Sequence, residues 1–164
     1  MRKWIVVLAA VGILLAVNLV IASRERLLDD GRVVLLDLAP VDPRSLMQGD
    51  YMALRYRIAR DVQQQDADKA QDGRAVLALD ARGVATFRRI DDGAPLGPDE
   101  VRIRYRVRRG AAKFGTDSYF FEEGRAGDYG RARYGEFRVA PDGDAILTGL
   151  RDEQLKVLGA ARRE

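Results

Sequence analysis

The 164-residue chain contains no cysteine and no histidine. The first absence removes disulfides and thiol chemistry, and the second removes imidazole as ligand, base or proton relay. Together they exclude zinc sites built on Cys or His, Ser-His-Asp hydrolases and Cys-His proteases. Positive charge is also not in real excess. Setting Arg2 and Lys3 aside from the 28 basic residues leaves 26 against 25 acidic ones after the first apolar segment. A nucleic-acid partner is therefore not expected, because phosphate binding needs clustered positive potential and the pI near 9.4 reflects a slight surplus of arginine. No EF-hand spacing, P-loop or dinucleotide fingerprint occurs, and no metal or cofactor is expected.

What the chain does have is one long hydrophobic run. Trp4 to Ala22 reads WIVVLAAVGILLAVNLVIA, uncharged, with Asn18 its one strongly polar side chain. At about 1.5 Å per residue, a helix of this length nearly crosses a hydrocarbon core about 30 Å thick. The expected organisation is a cytoplasmic tail at 1–3, a transmembrane anchor at 4–23, a juxtamembrane linker at 24–31 and an extracytoplasmic domain at 32–164. Val20-Ile21-Ala22 before Ser23 also fits a signal-peptidase site, so a signal cleaved after Ala22 is a second reading, and a buried soluble helix a third. Length favours the anchor. Arg2 and Lys3 face Arg24, Arg26 and Arg32 across the span, which nearly ties the positive-inside rule; the very short tail still favours export of the C-terminal part.

Beyond the run, short strands alternate with turn chemistry. Arg32 to Ala39 is a core strand ended by Pro40, and Pro40-Val41-Asp42-Pro43 fixes a loop. Tyr51 to Ala59 alternates, with Met52, Leu54, Tyr56 and Ile58 on one face and Tyr51, Ala53, Arg55 and Arg57 on the other, which predicts a half-buried strand. Asp61 to Gly73 is polar and glutamine-rich, a loop or solvated helix. Arg74 to Asp80 and Val84 to Ile90 make a hairpin around Ala81-Arg82-Gly83. Val101 to Arg109 is a strand with Val101, Ile103, Tyr105 and Val107 opposite Arg102, Arg104, Arg106 and Arg108. Tyr119-Phe120-Phe121 ends another strand, Arg125 to Tyr134 suggests a short helix, and Pro141-Asp142-Gly143-Asp144 joins a last hairpin. Leu155, Val157 and Leu158 offer the tail a brief packing contact. The fold expected is mainly β: a single antiparallel, barrel- or sandwich-like domain with a short helix, behind one transmembrane helix.

Gly49-Asp50-Tyr51-Met52-Ala53-Leu54-Arg55-Tyr56 is the most specific stretch. Gly49 and Asp50 suit a tight entry into the strand. Leu54 and Tyr56 read as core, Tyr56 with its hydroxyl reaching a polar partner, and Tyr51 points the other way. The motif is either structural or a ligand or partner site centred on Tyr51. These residues resemble the signature of the GDYXXLXY family of bacterial proteins, with Gly49, Asp50, Tyr51, Leu54 and Tyr56 each in place. Tyr119-Phe120 through Glu123-Gly124 and Gly135-Glu136-Phe137-Arg138-Val139 resemble the same family's C-terminal half. The resemblance implies a membrane-anchored protein at the bacterial inner membrane, without an established activity, associated with multipass membrane proteins. In that setting Gly12 and Ala16, four apart on one helix face, and Asn18 are the residues suited to helix-helix contact in the lipid bilayer.

Four other features carry weaker readings. The arginine row suits an anionic ligand or membrane surface, or else the solvent face of a strand with acidic neighbours. Gly127 to Tyr134 repeats several letters of the signature but lacks its apolar alternation and any wider match, so it does not indicate a duplication. Ser45 before a Gly-Asp strand entry, with Lys113 as base, resembles the arrangement of type I signal peptidases. Ser45, however, lacks their Met-x-Pro pattern and Lys113 their Tyr-x-Lys-Arg setting, and a non-enzymatic role is expected. Glu122 and Glu123, adjacent on a strand, would point to opposite faces and could not act together.

Overall fold

The computed structural model describes residues 2–39, 47–48, 51–65 and 71–159. Helix α1 (Arg2–Asp30) is one continuous rod. Its segment Val7–Asp30 contains an 18-residue window with a mean hydropathy of 2.2 and is long and apolar enough to cross a membrane. Large side chains all round it, from Trp4 and Leu8 to Leu19 and Ile21, are exposed. That all-round apolar surface is not buried against the rest of the chain. Residues 24–30, where a linker was expected, continue the helix. The Gly31 N–H donates to Leu27 O at 3.1 Å, and the next residue already belongs to a strand.

Strands β1 (Arg32–Asp37), β4 (Gly73–Leu79), β5 (Val84–Ile90), β6 (Glu100–Arg108), β7 (Ala111–Phe114), β9 (Tyr134–Val139) and β10 (Ala145–Arg151) form one sheet in the order β10-β9-β1-β5-β4-β6-β7. The small strands β2 (Met47–Gln48), β3 (Tyr51–Ala53) and β8 (Ser118–Phe120) form a second. Pairing is antiparallel except between β1 and β5, which run parallel with Leu35 opposite Val84, so the large sheet is mixed. It curls until it nearly closes. The Arg104 N–H in β6 donates to Gly143 O in the β9–β10 turn at 2.8 Å, and the Arg104 guanidinium meets Asp144 at 2.9 Å. Inward-facing Val34, Leu36, Ala75, Leu77, Ile103, Tyr105, Phe114, Phe137 and Leu150 fill the enclosed core.

Helix α1 is seated on this body. Leu27 is buried, α1 touches β9 and β10, and the Arg138 guanidinium donates to Gly31 O at 3.1 Å. A Cβ on Gly31 would lie 2.3 Å from Leu27 O, so the closeness of the helix-strand junction depends on glycine.

The alternation from Tyr51 to Ile58 correctly gives burial but not a single strand. Met52, Leu54, Tyr56 and Ile58 are all buried, yet ladder pairing stops at Ala53, Tyr56 makes an isolated bridge to Leu38, and helix α2 (Ile58–Gln65) starts where the strand was expected to end. Ile58 and Val62, one helical turn apart, supply a buried face that period-two counting cannot see. The expected solvated stretch thus contributes Val62 to the core. Strand β7 was not anticipated either, because only Ala112 and Phe114 turn inward within four residues. Both hairpins and β6 lie where expected, and the short helix α3 (Ala126–Tyr129) falls inside Arg125 to Tyr134. Its Tyr129 is buried and stacks on Phe121, a setting unlike that of the signature strand.

Candidate functional site

The second half of the signature is clamped from two sides. On one, the Ala39 N–H donates to Arg55 O at 2.8 Å and the Arg57 N–H to Asp37 O at 2.9 Å, while Asp37 holds the Arg57 and Arg133 guanidiniums at 2.8 and 3.2 Å. On the other, the Leu54 N–H donates to Asp117 O, in the β7–β8 connection, at 2.8 Å. The extended segment between β3 and α2 is thereby stretched across the large sheet, and alternation turns Tyr56 inward.

The Tyr56 ring fills the space between the sheet's two ends. It meets Phe114 of β7 edge-on at 6.5 Å and Phe137 of β9 at 5.4 Å between ring centroids. The hydroxyl has no such fit. Tyr56 is 4% exposed, and its Oη makes no hydrogen bond among the described residues. The polar partner expected from sequence is not found there. Burial, and secondarily the negative charge of Asp117, raise the Tyr56 pKa far above the ordinary phenol value, so the group stays protonated and can donate. Asp117 is itself held below the usual carboxylate range, first by a hydrogen bond from Lys113 and then by that residue's charge; the two lie 3.1 Å apart.

Tyr56 lines a cavity of about 370 Å³ between α2 and β7. Leu54, Ala59, Ala112 and Phe114 supply apolar wall, and Arg55, Arg60, Lys113 and Asp117 the charged part. At the far end the Gln63 amide donates to Gly110 O, tying α2 to the β6–β7 turn. A shallower groove of about 310 Å³ adjoins it through Lys113 and Asp117 and runs past Arg104, Arg106 and Arg108 to Arg24 on α1.

Other sequence candidates fall as follows. Tyr51 is half-buried on β3 and leans on Phe120 at 5.8 Å, beside that largely exposed ring. Gly49, Asp50 and Ser45 lie outside the described residues, as does the Pro40 to Pro43 loop. Lys113 is partly exposed and paired with Asp117, unlike the desolvated setting a neutral lysine base requires. In the arginine row, Arg102 meets Asp91 at 3.2 Å, Arg104 meets Asp144 and Arg108 meets Asp72 at 3.1 Å, so acidic neighbours answer three of its four members. Gly12 and Ala16 are exposed on α1, and the Asn18 amide donates to Leu14 O of its own helix at 2.8 Å. Among the described residues no cluster of carboxylates is arranged to hold a metal ion.

Sequence reasoning missed Arg60 and Asp117 as partners of the signature. Neither has a local signal; both reach it through the tertiary path of the chain. No curated protein and no solved structure matches the chain. The family model described as GDYXXLXY protein matches residues 13–150, from near the middle of α1 to the last residues of β10. That span carries the signature, both walls of the cavity and part of the apolar helix, and on it the chain belongs to the GDYXXLXY family.

Proposed function

We propose that the protein is an uncleaved single-pass membrane protein of the bacterial inner membrane. Its β-rich domain stands outside the cytoplasm as a non-enzymatic accessory to multipass membrane proteins. The observation that carries this reading is the junction. An apolar helix with exposed side chains all round runs without a linker into β1, and its last turn packs on β9 and β10. A cleaved signal has no use for a helix continuous through the cleavage point, and Ala22 lies eight residues before this one ends. A domain fixed to its anchor in this way is presented to membrane neighbours in one orientation, as docking beside a larger protein requires.

Within the bilayer, Gly12 and Ala16 offer the low-relief strip on which another helix can approach closely. The test is quantitative co-purification of the full-length protein from mild detergent, beside a variant carrying Gly12→Leu and Ala16→Leu. Multipass proteins enriched with the wild type and lost with the variant are expected. Unchanged recovery removes the helix contact, and absence of any enriched multipass protein overturns the accessory role.

A further inference from the structure

Among the described residues three side-chain polar atoms are buried without a hydrogen bond. Asp37 Oδ1 and Arg102 Nε each face an opposite charge at 3.2 Å, from Arg133 and Asp91 respectively. Tyr56 Oη has neither hydrogen bond nor ion pair among the described residues. Phenylalanine would fill the same space between Phe114 and Phe137 without that cost, yet the family's signature spells tyrosine here. A buried donor left unpaired is costly, so a hydroxyl that packing does not need calls for a partner beyond the described residues.

The cavity beside it indicates the kind of partner. Its volume, about 370 Å³, suits a small organic molecule, as ligand pockets start near 300 Å³. Leu54, Ala59 and Phe114 provide an apolar wall. Arg55, Arg60 and Lys113 set three cations against the single carboxylate of Asp117, and that carboxylate is already paired with Lys113. Arg55 and Arg60 make no ion pair among the described residues, and guanidinium forks suit carboxylate and phosphate oxygens.

We propose that this cavity binds a small anion with an apolar body, its carboxylate or phosphate taking the Tyr56 hydroxyl hydrogen bond and the charge of Arg55 and Arg60. The ligand class has two sources, a free solute or the head group of an anionic lipid. The second is within reach because the adjoining groove leads along the arginine row to Arg24, just beyond the apolar run of α1. This goes beyond the accessory role and does not depend on it.

The test uses full-length protein in an uncharged detergent, with phenyl phosphate and benzoate as probes and phenol and benzylamine as shape-matched controls, read by ligand-observed NMR. One or both anions should bind, and the controls should not. Tyr56→Phe should weaken binding roughly ten- to a hundredfold, the range for a hydrogen bond to a charged group, while the thermal midpoint holds or rises. Arg60→Gln should weaken it without disturbing the core. Repeating the titration in nanodiscs assigns the source: competition from phosphatidylglycerol but not phosphatidylcholine identifies a lipid head group, and equal binding in both identifies a solute. Failure of both anions to bind at millimolar concentration, or binding indifferent to Tyr56→Phe and Arg60→Gln, overturns the proposal.

Discussion

Replacing Tyr56 by phenylalanine separates the packing of the signature from its chemistry. The ring keeps its edge contacts with Phe114 and Phe137, and only an oxygen that is buried and unpaired among the described residues is lost. Leaving such a group unsatisfied costs about 1–3 kcal/mol, so without ligand the variant should be more stable by about 1 kcal/mol or more. For a domain of this size that is a rise of about 3–6 °C in thermal midpoint.

The alkaline limb gives an independent check. The folded pKa of Tyr56 is raised above its unfolded value, so the stability linked to its neutral form is complete below that unfolded value, about 10, and is lost as pH climbs towards the folded one. Phenylalanine has no such loss, and the gap between the two proteins should widen above about pH 10. The assay is urea unfolding of both full-length proteins in the same detergent from neutral to alkaline pH, followed by circular dichroism of the sheet. Destabilisation of the variant by more than about 1 kcal/mol would mean that the hydroxyl has a strong partner within the chain. Parallel pH curves would mean that Tyr56 ionises like an exposed phenol, and the burial argument would fail.

Three further outcomes follow from the same geometry. Leu54→Ala, at a side chain 3% exposed, should cost about 2–5 kcal/mol in the same urea assay, and a loss under about 1 kcal/mol would place Leu54 outside the core. Gly31→Ala puts a methyl 2.3 Å from Leu27 O and should loosen the helix-strand junction, seen as faster proteolysis between residues 24 and 32 in detergent, whereas wild-type resistance there would deny the tight junction. With no histidine, stability should show no inflection between about pH 5 and 8. It should fall on the acid side, because Asp72, Asp80, Asp92, Glu100 and Asp117 all have lowered pKa values; their contribution is present above the unfolded carboxylate range and lost as pH drops through the folded one.

Local chemistry made much of the fold legible. Gly83 and Gly143 take positive φ at the two hairpin turns where the sequence places them, and Val101, Ile103 and Tyr105 are buried as their alternation requires. What stayed hidden depends on residues far apart in sequence. Nothing near Leu35 announces a parallel partner at Val84, and nothing around Asp117 shows that its carbonyl will hold Leu54. The signature divides the same way. Burial of Leu54 and of the Tyr56 ring could be read from spacing, but the state of the Tyr56 hydroxyl could not, since it is decided by β7, β9 and α2 closing around it. Sequence alone drew attention to Tyr51 as the outward residue, and the structure adds Tyr56, whose donor is unmet among the described residues.

The central claim, a domain held outside the cytoplasm by an uncleaved helix, can be tested on the chain's own terms because it has no cysteine to confuse a label. Arg82→Cys, at an exposed hairpin turn remote from the cavity, supplies a single thiol. Intact spheroplasts are treated with a membrane-impermeant maleimide, and the labelled protein is then weighed by mass spectrometry. The account predicts labelling from outside on a membrane-bound species that retains Trp4 to Ala22. Labelling only after lysis, or a product that begins at Ser23, would contradict it.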